Sequence, residues 1–154
     1  VNQIKKKKEV TFKKCKTEEH LDKLYQYEVD VFAEAGDFEW SLQNLIDKKE
    51  NGWDVYSVNM ENEEDIVAAL FIKKEKGELL TNNTSVKMSH KGLGISHKIK
   101  EFFEDTAKNQ KVDSIVHFCA VDNFRTITLN ENYGYKRVGI THSGEVIKWQ
   151  KNIS

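Results

Sequence analysis

VKMSHKGLGISHKI, residues 86–99, joins an extended segment to a helix through two glycines one residue apart. On the helix side, GLGISHKIKEFFEDTAKNQ (92–110) repeats Ile95, Ile99, Phe102, Phe103 and Ala107 on one face at a 3.6-residue period. Glycine at the junction lets the backbone approach a ligand with no Cβ in the way. The first N–H groups of a helix lack intrahelical carbonyls and carry a partial positive charge. Together these features make a site for phosphate or diphosphate, and Lys91 adds a full charge at its rim. A plain strand-to-helix turn looks the same, so the loop alone leaves both readings open. It is not a P-loop, because Gly-Lys-Ser/Thr is missing. Nor is it a dinucleotide fingerprint, because the third Gly is absent and a meander precedes it.

Upstream, EVTFKKC (9–15) alternates weakly, as an edge strand does. Thr17 precedes Glu18 and Glu19, which is an N-cap signal. Leu21, Leu24, Tyr25, Val29 and Phe32 then continue at helical spacing as far as Gly36. A second helix is expected over 38–50, with Trp40, Leu42, Leu45 and Ile46. Strands are expected at 53–60, 66–74 and 78–88, the last interrupted by polar residues at 81–85. Downstream, SIVHFCAV (114–121) is apolar enough for a buried strand. NFRTITLNENYG (123–134) reads as a short helix, and 135–143 and 145–152 as two strands joined around Ser143-Gly144. The order is β-αα-βββ-α-β-α-ββ. That is an α/β class with a mixed central sheet of about seven strands and four helices, antiparallel in its first half. No repeat, linker or composition break appears, so one domain is expected over 1–154.

Composition narrows the function. The 24 Lys+Arg and 25 Asp+Glu leave a net charge of −1, without the electrostatic footprint of a nucleic-acid binder. No apolar run approaches the ~20 residues that span a bilayer, and the lysines at 5–8 are not followed by the apolar stretch of a secretory signal. Cys15 and Cys119 lie far apart with no metal-ligand spacing, so no metal is expected and a reducing cytoplasm is the simplest compartment. There is no proline, so turns fall to Gly, Asn, Asp and Lys.

The loop and a second motif carry a resemblance. Lys91, Gly92, Leu93, Gly94, Ile95 and Ser96 resemble motif A of the GNAT superfamily of N-acetyltransferases, Gln/Arg-x-x-Gly-x-Gly/Ala, which binds the coenzyme A diphosphate. VDNFRTITLNENYGYKRVG resembles motif B, with Asn123, Thr126, Leu129, Gly134 and Tyr135 in the places of its Asn, Ala, Leu, Gly and Phe. The element order also resembles the whole GNAT fold. The resemblance implies an acetyl-CoA-dependent N-acetyltransferase that moves an acetyl group to a primary amine of a small molecule or peptide by direct attack. The alternative is a non-catalytic coenzyme A-binding or sensor module on the same fold. A homodimer is left open.

The resemblance also implies residue roles. The strand before the loop parts from its neighbour, and the pantetheine arm lies in the gap against backbone groups of Thr84 and Val86. The Thr84 N–H is expected to face the thioester carbonyl and stabilise the oxyanion. Residues 91–96, with His97 one turn on, are expected at the diphosphate, and Asn123 and Asn130 beside the pantetheine and sulfur. Lys91 keeps the charge of Arg without its planar fork, Ser96 stays small, and Met88 stands where Pro is common. Asn130 stands where the family often has a Tyr that protonates the leaving thiolate; an amide does not supply that proton. Tyr133, three residues on, is placed either to take that role or to pack in the core.

A general base is also needed, since amines are mostly protonated at neutral pH. Glu78, Asp122, Glu34, Asp37 and Glu39 are candidates, each taken alone more simply a surface carboxylate. His117 and Cys119 share a strand face, as a nucleophile pair or as satisfied core residues; in the GNAT reading His117 is a base acting through water.

Overall fold

The computed structural model describes residues 9–27, 40–60, 65–84, 86–90, 92–141 and 143–153. A seven-stranded sheet runs in the order β1-β2-β3-β4-β5-β7-β6. The strands are β1 (Val10–Lys14), β2 (Asp54–Met60), β3 (Ile66–Glu75), β4 (Glu78–Asn83), β5 (Ser114–Ala120), β6 (Lys136–Ile140) and β7 (Val146–Asn152). The helices are α1 (Glu18–Tyr25), α2 (Leu42–Glu50), α3 (Ile95–Asn109) and α4 (Phe124–Asn132). The expected element order holds, with β1 and β6 at the sheet edges.

Strand β3 is the spine, because it is apolar on both faces. Ala68, Leu70 and Ile72 join Ile95, Ile99, Phe103 and Ala107 of α3 in one core. Ala69 and Phe71 face the other way, against Leu21 and Leu24 of α1 and Leu45 of α2. This is the period-two alternation of a strand covered on both sides. Strands β1 to β4 form an antiparallel meander. Strands β4 and β5 are parallel, joined by the long crossover that a parallel pair requires, here α3.

Three local expectations change. Helix α1 closes at Tyr25 rather than Gly36, because Tyr27 turns inward and donates its hydroxyl to the Val67 carbonyl at 3.0 Å. Val29, Phe32 and Gly36 lie outside the described residues, as does the lysine run 5–8. Helix α2 begins at Leu42, where Ser41 caps it by accepting from the Asn44 N–H, rather than at 38. The third strand ends at Asn83 rather than 88, and Met88–His90 form a 3₁₀ turn.

That early ending is a β-bulge. Thr84 N–H donates to Ala69 O at 3.0 Å, and Lys87 N–H to Val67 O at 2.8 Å, so one side of the pair carries one residue more than the other between these bonds. The Ala69 N–H donates to the Thr84 hydroxyl at 2.9 Å, and the Thr84 carbonyl accepts from Asn83 Nδ2 at 2.9 Å. Thr84 is fully buried. Thr84→Val therefore leaves the Ala69 N–H unpaired and lowers stability by about 1–3 kcal/mol, whereas Thr84→Ser stays near wild type; urea unfolding of the two variants checks this.

Candidate active site

The pairing of β4 with β5 runs from Glu78↔Ser114 to Thr81↔His117 and stops. Each strand continues beyond that point with its outer neighbour, β4 with β3 as far as Asn83 and β5 with β7 as far as Ala120↔Val146. The two strands part, and a cavity of about 800 Å³ opens against the gap. Asn83, Thr84 and Val86 line one wall, the start of α3 the floor, and Asp122 to Thr126 with Leu129 the opposite wall.

The floor is an uncapped helix start. Thr17, Ser41 and Asn123 each cap their own helix with a side-chain oxygen. Gly94, at the start of α3, makes no such bond. The first intrahelical bond is Lys98 N–H to Gly94 O, so the N–H groups of Ile95, Ser96 and His97 have no partner within the helix. Gly94 has φ +77° and Gly92 φ +85°, the left-handed region, and a Cβ at either would meet nothing within 4 Å. Their backbone thus faces open space toward the cavity, at the positive end of a 15-residue helix. Arg125 adds positive charge on the far wall and Asp122 negative. The arrangement suits a long anionic ligand laid from the helix start toward the strand gap.

The expected residues divide. Gly92, Gly94, Ile95, Ser96, His97, Val86 and Asn123 line the cavity. Ile95 offers only backbone, since its side chain is buried in the core. Asn123 uses its Oδ1 to cap α4 through the Thr126 N–H at 3.2 Å. Leu93 is exposed and does not line the cavity. Lys91, Glu34, Asp37 and Glu39 lie outside the described residues. Glu78 lies at the other end of β4, accepting from Gln150 at 3.0 Å.

Three assignments are corrected. The Thr84 N–H does not face the gap, being bonded to Ala69. Strand alternation turns the backbone of Asn83 that way instead. Tyr133 lies off the cavity lining, and its hydroxyl is engaged by His97 Nδ1 at 2.8 Å. Asn130 is wholly buried and also off the lining.

What Asn130 does is hold a hydrogen-bonded chain that the sequence did not suggest. Lys100 Nζ donates to Asn130 Oδ1. Asn130 Nδ2 then donates to His117 Nδ1 at 3.2 Å. His117 therefore carries its proton on Nε2 and donates to Asn83 Oδ1 at 2.8 Å. The direction follows from the lysine, which serves only as a donor here. Burial, then the Lys100 charge, push the His117 pKa well below its ordinary value, so the ring is neutral and both its nitrogens are occupied. It is a satisfied core residue and not a base. Cys119 is no partner to it; its thiol points to the Ala120 carbonyl at 3.5 Å, and burial raises its pKa. Lys100 is 2% exposed yet lines the cavity. Burial lowers its pKa to about 7. The signal was present in the sequence, since position 100 lies three residues before Phe103 and seven before Ala107, on the apolar stripe.

No protein-family model and no curated protein matches the sequence. Solved structures do match. The ribosomal-protein-S18-alanine N-acetyltransferase of Escherichia coli superposes with a TM-score of 0.74 at 17% identity, over 95% of each chain. A spermidine N-acetyltransferase from Vibrio cholerae, in complex with CoA and spermine, gives 0.72 at 12% identity, over 93% of this chain and 95% of that one. An N-acetyltransferase from Staphylococcus aureus Mu50 gives 0.70 at 12%, over 95% and 99%.

The chain has the GNAT fold. In this chain the parted strands and the uncapped helix frame the cavity, and the buried lysine is part of its lining. Among the described residues no helix is long and apolar enough to cross a membrane.

The lysine makes stability depend on pH. An unfolded lysine titrates near 10.4. Between about pH 7 and pH 10.4 the unfolded chain binds more protons at this site than the native one, so native stability rises with pH across that window. Lys100→Met lacks this term. The stability of wild type relative to Lys100→Met should therefore increase steadily from pH 7 to pH 10 in paired urea titrations.

Proposed function

We propose that the chain is an acetyl-CoA-dependent N-acetyltransferase of one domain, acting on a primary amine of a small molecule or peptide. The observation that carries this is the single cavity joining the uncapped start of α3 to the gap between β4 and β5. Acetyl-CoA has the matching parts in the matching order. Its diphosphate suits the N–H groups of Ile95, Ser96 and His97, and its pantetheine arm suits the backbone of Asn83 and Val86 beside the strand gap. The residues present thus fit the cofactor, which supplies the activated acyl group.

In this reading the amine nitrogen attacks the thioester carbonyl directly. The Asn83 N–H, facing the gap in place of that of Thr84, stabilises the developing oxyanion. Holding both reactants in one cleft supplies much of the acceleration. His117, neutral and bonded at both nitrogens, holds Asn83 in place. Asp122 is the one titratable carboxylate of the described cavity lining and the remaining candidate to accept the amine proton. The neighbours of this fold that act on spermidine and on a ribosomal-protein alanine define the two acceptor chemistries to try first.

Two measurements test the reading. Acetyl-CoA at about 100-fold over its Kd should stabilise the fold by about 2.7 kcal/mol, read as a rise in Tm; no rise overturns the reading. Gly94→Glu places a side chain in left-handed backbone, at about 1–2 kcal/mol of strain, and a negative charge at the diphosphate position. It should weaken CoA binding by about tenfold or more by calorimetry. Thiol release with spermine and with an alanine-terminated peptide then separates an enzyme from a CoA-binding module that turns over neither.

A further inference from the structure

We infer that Lys100 is the proton donor to the sulfur that leaves the thioester, an inference that rests on the acyl-transfer reading above.

The placement comes first. Lys100 lies five residues into α3, about 7.5 Å along the axis from Ile95. A ligand anchored at the helix start and running to the strand gap passes over this position. Both ends of the buried chain, Lys100 and Asn83, line the cavity, while its middle members Asn130 and His117 do not. The chain therefore ties together two groups of the cavity lining, one from β4 and one from α3. Asn83 turns backbone toward the carbonyl oxygen, and Lys100 presents Nζ to the atom on the other side of the carbonyl carbon, the sulfur.

The ammonium is also held with capacity to spare. Of its three donor directions, one is taken by Asn130 Oδ1. The Tyr135 ring covers a second side, 4.4 Å from Nζ to centroid. Lys100 itself is part of the cavity lining. Glu104, one turn further along α3, is engaged by Lys151 of β7 instead. The other groups that face Lys100 are Cys119 and His117 of β5. Burial raises the first and lowers the second, so neither exchanges a proton with Lys100 near neutrality. Burial also lowers the Lys100 pKa to about 7, which makes its ammonium a better proton donor than an ordinary lysine.

The step balances. The amine nitrogen bonds to the carbonyl carbon, the oxyanion collapses, and the carbon–sulfur bond breaks with its electron pair on sulfur. Sulfur takes a proton from the Lys100 ammonium, giving the CoA thiol. The attacking nitrogen releases its extra proton to Asp122, which passes it to water, and the neutral Lys100 amine takes one back from solvent. Asn130 and His117 are positioning residues for this step.

The test needs no acceptor. CoA is bound to wild type and to Lys100→Met, and thiolate absorbance is followed against pH. The bound thiol in wild type should ionise about 1–3 units lower than in the variant, as expected for a thiolate beside a cation. In wild type alone, the Lys100 Nζ titration followed by NMR should move upward with CoA and stay in place with desulfo-CoA, which covers the case of a variant that fails to fold. Equal thiol ionisation in the two proteins, or an Nζ titration indifferent to the sulfur, overturns the inference and leaves CoA binding standing. An acetyl adduct on Lys100 after incubation with acetyl-CoA also overturns it, by making the lysine a nucleophile. Failure of wild type to bind CoA at all removes the acyl-transfer reading and this inference together.

Discussion

A ladder of hydrogen bonds that stops short governs this molecule. Strands β4 and β5 pair over four residues and then part, although each keeps its partner on the far side. Backbone groups inside a sheet must be paired or reach water or a ligand. A parted pair therefore creates an edge in the middle of the sheet, open to anything that can complete it. The bulge at Thr84 fixes which groups occupy that edge, since it ties the Thr84 N–H and hydroxyl to β3 and leaves Asn83 facing the opening.

The parting also explains the buried polar chain. Where β4 leaves β5, side chains from four elements fill the wedge, Asn83 from β4, His117 from β5, Lys100 from α3 and Asn130 from α4. A lysine in such a place is expensive to ionise. Apolar residues of similar volume are often as stable or more so at buried ionic positions. The stability lost here lies at a wall of the cavity, where residues with shifted pKa values tend to act on ligands.

The loop and the fold class were legible because their signals are local. Gly92 and Gly94 before an amphipathic helix identify a helix start with open backbone, whatever the rest of the chain does. The buried run of β3 and the turn at Lys76-Gly77 likewise place the meander. Thr84 faces β3 rather than the gap because it follows Leu70↔Asn83 in the regular ladder, where alternate residues turn their backbone to opposite neighbours, and nothing in the letters Asn-Asn-Thr-Ser marks that register. Tyr133 lies off the cavity lining, its hydroxyl hydrogen-bonded to His97, 36 residues away, a pairing that no local pattern marks. Lys100 sits on the apolar stripe, yet a lysine on a helix is ordinarily solvent-facing, or snorkels outward with only its stem covered.

Periodicity, capping and turn chemistry act over a few residues, so the order of elements, the apolar faces and the glycine-led helix start follow from the chain as written. The meeting of Lys100, Asn130, His117 and Asn83 does not. It depends on the register of β4 against β5 and on how α3 and α4 lie over them. That register is set by the summed packing of a core drawn from the whole length of the chain, and no neighbouring residues encode it.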